Sequence, residues 1–319
     1  MPKPDLLLLG PIPVAARALE AHFELHRLWE AADRQGFIAE RKDRIRAIAT
    51  SGSLRTDAAL IDQLPKLEII GNFGVGYDTV DAPYAAKRGI VVTNTPDVLT
   101  EEVADTALGL ILMTVRELGA AERFVREGRW LTGGFPYSHA TLRGKTVGIV
   151  GYGRIGKAIA ARLKGFGVGL AYHNRRPVAD ADIAYVDTLI GLAGLVDILV
   201  SVLPGGDATY HAINAEVFEA LGPEGIFINI GRGSAVDEAA LVAALQAGKL
   251  QSAGLDVYAV EPCRPAELAA FERVVLLPHV GSASQHTRAA MGQLMVDNLV
   301  NWFDKGAPLT PVPETPWPR

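Results

Sequence analysis

The stretch from Thr146 to Arg176 decides the fold, and it begins Thr146-Val-Gly-Ile-Val150, Gly151-Tyr-Gly153-Arg-Ile-Gly156, Lys157-Ala-Ile-Ala-Ala-Arg-Leu163. A β-branched apolar run is followed by a glycine turn and then by a run of strong helix formers. A strand, a G-x-G-x-x-G turn and a helix in this order favour a dinucleotide-binding βαβ unit. The free N–H groups at the start of the helix then face the pyrophosphate. A glycine turn alone is weak, so the flanking strand and helix carry the prediction.

The next predicted strand, Val168–Tyr172, ends in His173-Asn174-Arg175-Arg176. An acidic residue that binds the ribose 2′-hydroxyl is expected about 20 residues past the glycines. Asn174 is neutral, and the two arginines after it can pair with a 2′-phosphate that a carboxylate would repel. The sequence therefore predicts that NADP is preferred over NAD. The alternative, that the arginines belong to an ordinary solvated loop, stays open.

Composition limits the class of protein. The chain has 319 residues, enough for two domains, and its apolar share of 49% and charged share of 21% are ordinary for a soluble globular protein. A net charge of −5 without any Lys/Arg-rich run argues against nucleic acid or a membrane as partner. The single cysteine, Cys263, excludes an internal disulfide and fits a reducing cytosol. Asp5 interrupts the apolar N-terminus, so we expect no signal peptide and a cytoplasmic location.

Predicted strands and helices alternate up to about residue 98, which favours a parallel sheet covered on both faces. One long helix is predicted from Thr100 to about Phe124, and a second doubly wound sheet follows from about Leu142. A last helix from Ser284 to Phe303 precedes the proline-rich segment Pro308–Pro318, which we expect to be a loosely held tail. The predicted strands are Asp5–Leu9, Glu24–Leu28, Arg44–Thr50, Leu67–Gly71 and Ile90–Thr93 in the first sheet, and Thr146–Val150, Val168–Tyr172, Asp197–Leu203, Gly225–Ile230, Ser252–Val257 and Val274–Leu277 in the second.

Three residues just past predicted strand ends of the second sheet could carry out hydride reduction of a 2-oxo acid. In a doubly wound sheet the ligand lies outside the carboxyl ends of the strands. The planar guanidinium of Arg232 matches a substrate carboxylate, and His279 can donate a proton near neutral pH. Glu261 would favour the protonated imidazole. Singly, Arg232 could form a structural ion pair, Glu261 could be solvated and His279 could bond only backbone; their combination favours an active site.

Several motifs beyond the glycine turn are shared with one known family. They are Gly71-Asn-Phe-Gly-Val75-Gly76-Tyr-Asp78, Thr93-Asn-Thr-Pro-Asp97, Glu102-Val-Ala-Asp-Thr106, Ile230-Gly-Arg232-Gly, Leu255-Asp256-Val, Glu261-Pro and Pro278-His279. With these the chain resembles, over nearly its whole length, the D-isomer-specific 2-hydroxyacid dehydrogenases. The resemblance is closest to their glyoxylate/hydroxypyruvate reductase and hydroxyphenylpyruvate reductase branch. The acid that usually follows the second strand is missing, as it is in the NADP-preferring reductases of the family.

The resemblance implies an α/β fold of two doubly wound parallel-sheet domains. A Rossmann cofactor domain, residues 99–286, is inserted in a flavodoxin-like substrate domain, residues 1–98 and 287–319. It implies that Arg232, Glu261 and His279 are catalytic, with His279 as proton donor. The N–H groups of Val75 and Gly76, together with Arg232 and His279, would bind the substrate. A homodimer is also implied.

The implied activity is the NADPH-dependent reduction of small 2-oxo acids, such as glyoxylate and hydroxypyruvate, to D-2-hydroxy acids. Two alternatives stay open: a reductase of hydroxyphenylpyruvate or another 2-oxo acid, and a nicotinamide-sensing regulatory protein. No metal site is expected. The expected cofactor contacts come from the glycine motif, the arginine loop and the resemblance: Gly151, Gly153, Arg154, Ile155, Gly156, Asn174, Arg175, Arg176, Thr106, Val202, Pro204, Thr209, Ile230, Gly231, Arg232, Asp256, His279 and Gly281.

Overall fold

The computed structural model describes residues 2–52 and 54–318, so Met1, Ser53 and Arg319, which the expected domains include, lie outside the described residues. The chain divides into two compact units. The first unit is Met1–Leu99 with Ser284–Arg319, and the second is Thr100–Ala283. The breaks expected from the sequence follow residues 98 and 286.

The first unit contains a parallel sheet, here called the first sheet. Within the described residues its strand order is β2-β1-β3-β4-β5, the flavodoxin-like order 2-1-3-4-5. With elements numbered along the chain, its strands are β1 (Asp5–Leu8), β2 (Glu24–Arg27), β3 (Ile45–Ser51), β4 (Ile69–Phe73) and β5 (Val91–Thr93). Its helices are α1 (Pro13–His22), α2 (Arg34–Arg41), α3 (Ala58–Asp62), α4 (Ala82–Lys87) and α12 (Gln285–Lys305).

Sequence reasoning missed α2, which begins after Asp33. The Asp33 carboxylate accepts the Gly36 N–H at 3.0 Å and so caps the helix. The C-terminal helix α12 packs against α1 and β4 of the same unit.

The prediction that Pro308–Pro318 is a loosely held tail is wrong. Val312 and Thr315 are buried, and the Val312 N–H donates to the Val92 carbonyl of β5 at 2.9 Å. Asn298 of α12, itself buried, accepts the N–H of Thr310 at 2.8 Å through its side-chain oxygen. The tail therefore lies along the edge strand β5 and satisfies backbone groups that an open sheet edge would leave unpaired.

The second unit contains the second sheet. Its described residues form parallel strands in the order β12-β11-β10-β9-β6-β7-β8, the Rossmann order extended by one strand. These strands are β6 (Thr146–Val150), β7 (Gly169–His173), β8 (Ala184–Tyr185), β9 (Ile198–Ser201), β10 (Ile226–Asn229), β11 (Ser252–Leu255) and β12 (Val275–Leu276). Its helices are α5 (Thr100–Val115), α6 (Leu118–Arg126), α7 (Arg154–Leu163), α8 (Leu189–Leu195), α9 (Ala215–Leu221), α10 (Glu238–Gln246) and α11 (Ala266–Ala269). The expected two doubly wound parallel sheets are thus confirmed.

The prediction of one helix from Thr100 to Phe124 is wrong, because the chain breaks between α5 and α6. Glu117 adopts a left-handed conformation with φ of 53°, which no continuing helix tolerates. Its carboxylate accepts the backbone N–H of His139 at 3.1 Å and lies 2.9 Å from the Nδ1 atom of the same residue. A contact distant in sequence therefore accompanies the break.

The strand register brings the carboxyl ends of the second sheet into one row. Adjacent last residues pair as His173 with Val150, Val150 with Ser201, Ser201 with Asn229, Asn229 with Leu255 and Leu255 with Leu276. The loops after these strands, which hold most of the predicted site residues, thus leave the sheet at the same edge. No helix within residues 2–52 and 54–318 combines the length and apolarity needed to cross a bilayer.

Candidate active site

The glycine turn after β6 has the geometry that a dinucleotide requires. Gly151 has φ of 97°, in the left-handed region that glycine adopts without strain. A Cβ on Gly156 would lie 2.4 Å from the Gly151 carbonyl oxygen, so α7 packs too close to the turn for any side chain there. A Cβ on Gly153 would meet nothing within 4 Å, which leaves open space beside the helix start.

This turn fits a bound pyrophosphate. Gly153 precedes α7 and no side chain caps the N-terminus of that ten-residue helix. Uncapped N–H groups and the helix dipole favour an anion at this place. Arg154 and Ile155, both expected cofactor contacts, form the first turn of α7.

The loop after β7 carries the residues predicted to select the cofactor. The side-chain oxygen of Asn174 accepts the Tyr152 N–H at 2.7 Å, so this amide is bonded to the middle of the glycine turn. Arg175 and Arg176 are exposed, and neither guanidinium pairs with a carboxylate in the described part of the chain. Two cationic side chains therefore lie on a loop that is hydrogen-bonded to the glycine turn.

His279 and Glu261, far apart in sequence, meet at the carboxyl edge of the second sheet. The Nδ1 atom of His279 lies 2.6 Å from Oε2 of Glu261, and Oε1 of Glu261 accepts the Tyr258 N–H at 2.8 Å. The imidazole side chain stays 44% exposed, and its Nδ1 atom is the one that contacts Glu261. The contact fixes the orientation of the imidazole, as expected for a positioned proton donor.

The Glu261 carboxylate is kept ionised. Burial alone would raise the pKa of Glu261, but hydrogen bonds from His279 and Tyr258, together with the positive charge of Arg232, outweigh burial and lower it. The influence of Arg232 on Glu261 links all three predicted catalytic residues electrostatically.

Asp256 shapes the loop that bears His279. Its carboxylate accepts the N–H groups of Val280 at 2.7 Å and Gly281 at 2.8 Å, while its carbonyl accepts the His279 N–H at 2.8 Å. His279 has φ of 53°, an unusual conformation for a non-glycine residue, and these three bonds hold it. Burial raises the pKa of Asp256 even though the two N–H donors to its carboxylate act to lower it.

Arg232 follows β10 and is oriented by its neighbours. The amide of buried Asn229 donates to the Arg232 carbonyl at 3.1 Å and accepts the Gly231 N–H at 3.2 Å. A Cβ on Gly233 would lie only 1.8 Å from the Tyr258 carbonyl carbon, so the arginine loop is packed directly on the glutamate loop. This contact holds the two backbone segments that carry Arg232 and Glu261 against each other.

Other predicted cofactor contacts lie in the loops of the same edge or bond to them. Thr106 of α5 donates its hydroxyl to the Gly281 carbonyl at 3.3 Å, and Thr209 donates its hydroxyl to the Pro204 carbonyl at 2.7 Å. Val202 and Ile230 each continue a strand by one backbone bond, to Val150 and Ser201 respectively.

The predicted substrate residues Val75 and Gly76 belong to the first unit, in the loop after β4. The Asn72 amide donates to the carbonyls of Gly74 at 3.1 Å and Gly76 at 3.0 Å, which draws those oxygens to one side of the loop. No acceptor among the described residues takes the N–H groups of Val75 and Gly76. Adjacent N–H groups left free in this way can bind an anion.

No group of three or more His, Cys, Asp or Glu side chains suited to a metal ion occurs in the part of the chain that the structure describes.

A family model for the D-isomer specific 2-hydroxyacid dehydrogenase, NAD binding domain, matches residues 108–281, more than half of the chain. The chain belongs to this family. The expected membership and the expected NAD(P)-dependent D-2-hydroxyacid dehydrogenase activity are thereby confirmed.

Known members of the dehydrogenase family can be aligned with this chain over most of its length. A crystal structure of an NADPH-dependent glyoxylate/hydroxypyruvate reductase from Sinorhizobium meliloti, in complex with NADP and malonate, is 53% identical, with a TM-score of 0.95 and coverage of 99% of both chains. Hydroxyphenylpyruvate reductase of Plectranthus scutellarioides is 45% identical over 92% of this chain and 94% of its own length. Glyoxylate/hydroxypyruvate reductase A of Arabidopsis thaliana has the same identity and coverage.

Sequence reasoning missed two residues that organise this dehydrogenase site. Tyr258 holds Glu261 through its backbone N–H, and its hydroxyl donates to the Leu277 carbonyl at 2.9 Å, two residues before His279. Asn229 holds the arginine loop from within β10. A polar residue that ends the apolar run Ile226-Phe-Ile is a signal that could have found Asn229, whereas nothing local distinguishes Tyr258.

Proposed function

We propose that the chain is an NADPH-dependent reductase of small 2-oxo acids such as glyoxylate and hydroxypyruvate, and that it forms D-2-hydroxy acids. The observation that carries the proposal is the 2.6 Å contact between His279 Nδ1 and Glu261 Oε2 at the carboxyl edge of the second sheet. The Sinorhizobium relative, named as an NADPH-dependent glyoxylate/hydroxypyruvate reductase, supports the choice of substrate and cofactor.

His279 acts as the proton donor in this proposal. With Nδ1 facing Glu261, its Nε2–H donates to the carbonyl oxygen of the substrate, and the resulting neutral imidazole later regains a proton from water. Glu261, held ionised by its own hydrogen bonds, stabilises the imidazolium before transfer. The reduced nicotinamide supplies the hydride that the carbonyl carbon receives.

Arg232 binds the substrate carboxylate. Its guanidinium is always charged and can form two parallel hydrogen bonds to a carboxylate, which fixes the orientation of the neighbouring carbonyl. The N–H groups of Val75 and Gly76 in the first unit are proposed as donors to a substrate carboxylate. Substrates that lack a 2-oxo carboxylate are therefore expected to react poorly.

The preference for NADPH is assigned to the loop after β7. Arg175 and Arg176 would pair with the 2′-phosphate, and neutral Asn174 presents no charge to repel it. The remaining cofactor contacts are proposed to be those expected from the sequence. Most of them lie in the glycine turn and in the loops after β9, β10, β11 and β12. The crystal complex of the Sinorhizobium relative with NADP supports the preference for NADPH.

A second substrate, hydroxyphenylpyruvate, is favoured by one observation. The Plectranthus relative that bears the name hydroxyphenylpyruvate reductase is 45% identical over 92% of this chain. The same catalytic groups would reduce this substrate, because its aromatic ring is attached to C3, on the side of the C2 carbonyl opposite the carboxylate.

Initial rates decide between these candidates. NADPH and NADH are each supplied with glyoxylate, hydroxypyruvate, hydroxyphenylpyruvate and 2-ketogluconate, and we expect the highest kcat/KM with NADPH and one of the first two acids. A higher value for hydroxyphenylpyruvate would favour the second candidate. Turnover of none of the acids would contradict both and favour a nicotinamide-sensing regulator.

We also propose a cytoplasmic homodimer. The single cysteine fits a reducing compartment. Large apolar side chains lie exposed in and after α6, as expected of an interface between copies: Leu118, Val125, Trp130, Leu131 and Tyr137. Sedimentation equilibrium should give twice the chain mass, and Leu131→Asp should lower it.

A further inference from the structure

Three tyrosine rings contact one another next to the arginine loop, two of them stacked and the third tilted. The rings of Tyr152 and Tyr172 lie 4.5 Å apart and stacked, and the Tyr185 ring lies 5.4 Å from Tyr172. They come from different elements: Tyr152 from the glycine turn, Tyr172 from β7 and Tyr185 from the short edge strand β8. We call these residues the tyrosine stack.

The hydroxyls of the tyrosine stack hold both ends of the segment that carries the arginines. At one end, the Tyr185 hydroxyl donates to the Asn174 carbonyl at 3.3 Å. At the other end, the Tyr172 hydroxyl accepts the Val178 N–H at 2.8 Å. Only Arg175, Arg176 and Pro177 lie between these fixed points, and the ring of Pro177 restricts its own φ.

A third hydroxyl fixes the continuation of the loop. Tyr152 donates to Asp182 at 3.0 Å, and Asp182 also contacts Lys164 at the end of α7. Hydrogen bonds from Lys164 and Tyr152 lower the pKa of Asp182. Because Tyr152 lies between two glycines of the turn, the pyrophosphate turn and the arginine loop are bonded into one structure.

We propose that the tyrosine stack is a positioning element for cofactor selection, and that it presets the backbone on which Arg175 and Arg176 meet a 2′-phosphate. This inference rests on the proposed preference for NADPH. A long arginine side chain loses rotamer freedom when it binds a phosphate. If the backbone that carries it is already ordered, binding incurs no further loss of backbone entropy, and the affinity for the phosphate is higher. NADH, which lacks the phosphate, gains much less from the fixed loop.

The test measures binding rather than turnover. Dissociation constants of NADPH and NADH, and of the fragments 2′,5′-ADP and ADP, are determined for the wild type, Tyr172→Phe and Tyr185→Phe. Tyr172→Phe keeps the stacked ring but leaves the Val178 N–H without its acceptor. We expect it to weaken NADPH and 2′,5′-ADP by about three- to tenfold, and NADH and ADP by less than twofold.

Tyr84→Phe is the matched control, because it removes a tyrosine hydroxyl bonded to Asp62 at 2.6 Å in the first unit. It should leave all four constants unchanged. If the wild type binds NADPH no better than NADH, the proposed cofactor preference fails. If the wild type prefers NADPH and both tyrosine variants keep its full preference, or weaken all four ligands equally, the tyrosine stack has no role in selection. Should Tyr172→Phe lower the melting temperature strongly, Tyr185→Phe, at the exposed end of the stack, decides alone.

Discussion

The Glu261 carboxylate lies 2.6 Å from Nδ1 of His279 and at the same time accepts the Tyr258 N–H through its other oxygen. Both oxygens are therefore engaged, and the carboxylate is fixed relative to the imidazole. The ring is left with only its Nε2 edge for a substrate. This relationship determines which nitrogen delivers the proton in the proposed reaction.

Glu261→Gln should lower kcat for glyoxylate reduction at pH 7 by about tenfold or more, because a neutral amide no longer favours the imidazolium. The variant should also lack the loss of turnover at low pH that protonation of Glu261 causes in the wild type. In the wild type the pKa of Glu261 lies below the ordinary glutamate value of about 4.3. The carboxylate therefore stays ionised even somewhat below that pH, and the stabilisation that it provides is lost only as the pH falls through the lowered pKa. A pH–rate profile extended down to about pH 3 measures both effects. An unshifted profile with full turnover would remove Glu261 from the mechanism.

Replacing Arg175 and Arg176 together by alanine should reduce the preference for NADPH over NADH by at least tenfold, because two charge-assisted bonds to phosphate are lost. The variant Asn174→Asp tests the same cofactor preference more selectively. The new carboxylate can still accept the Tyr152 N–H, so the loop keeps its shape while a negative charge opposes the 2′-phosphate. We expect weaker NADPH binding and little change for NADH, measured by nicotinamide fluorescence. Equal losses for both cofactors would mean a general disturbance of the site.

Gly233→Ala should cost about 3 kcal/mol of folding free energy or more, since the added Cβ would lie 1.8 Å from the Tyr258 carbonyl carbon. Activity should fall with it, because Arg232 and Glu261 are moved apart. Gly109→Ala in α5 is the control: its Cβ meets nothing within 4 Å, and alanine favours a helix by about 1 kcal/mol. Urea unfolding of the two variants should thus shift in opposite directions, and equal midpoints would refute the packing argument.

Val312→Ala should destabilise the protein by about 2 kcal/mol, because the side chain is buried in the core of the first unit. Leu309→Ala, three residues earlier and 49% exposed, should change the stability by less than about 0.5 kcal/mol. Thermal and urea unfolding measure both. If the two variants behave alike, the segment is not docked on β5 as described.

The features that sequence reasoning predicted correctly are those with local or periodic causes. The turn at Gly151, Gly153 and Gly156 is encoded in six consecutive residues and in the runs that flank them. The meeting of Glu261 and His279 follows because parallel strands all end at one edge, so strand ends found separately must be neighbours.

Two of the errors have a different cause, which is contact between residues distant in sequence. The break at Glu117 is accompanied by its bonds to His139, and the docked tail depends on Asn298 and Val92. The edge strand β8, with two residues, is too short to show any periodicity. None of these partners can be recognised from the local pattern, because the fold must exist before the contact does.

The packing of Gly233 on the Tyr258 carbonyl has a consequence for protein engineering. A chimera between this chain and a relative inherits each backbone contact intact only when both sides come from one parent. A crossover between residues 233 and 258 would join an arginine loop and a glutamate loop shaped for different partners. Recombination libraries in this family should therefore exchange residues 229–261 as a single block.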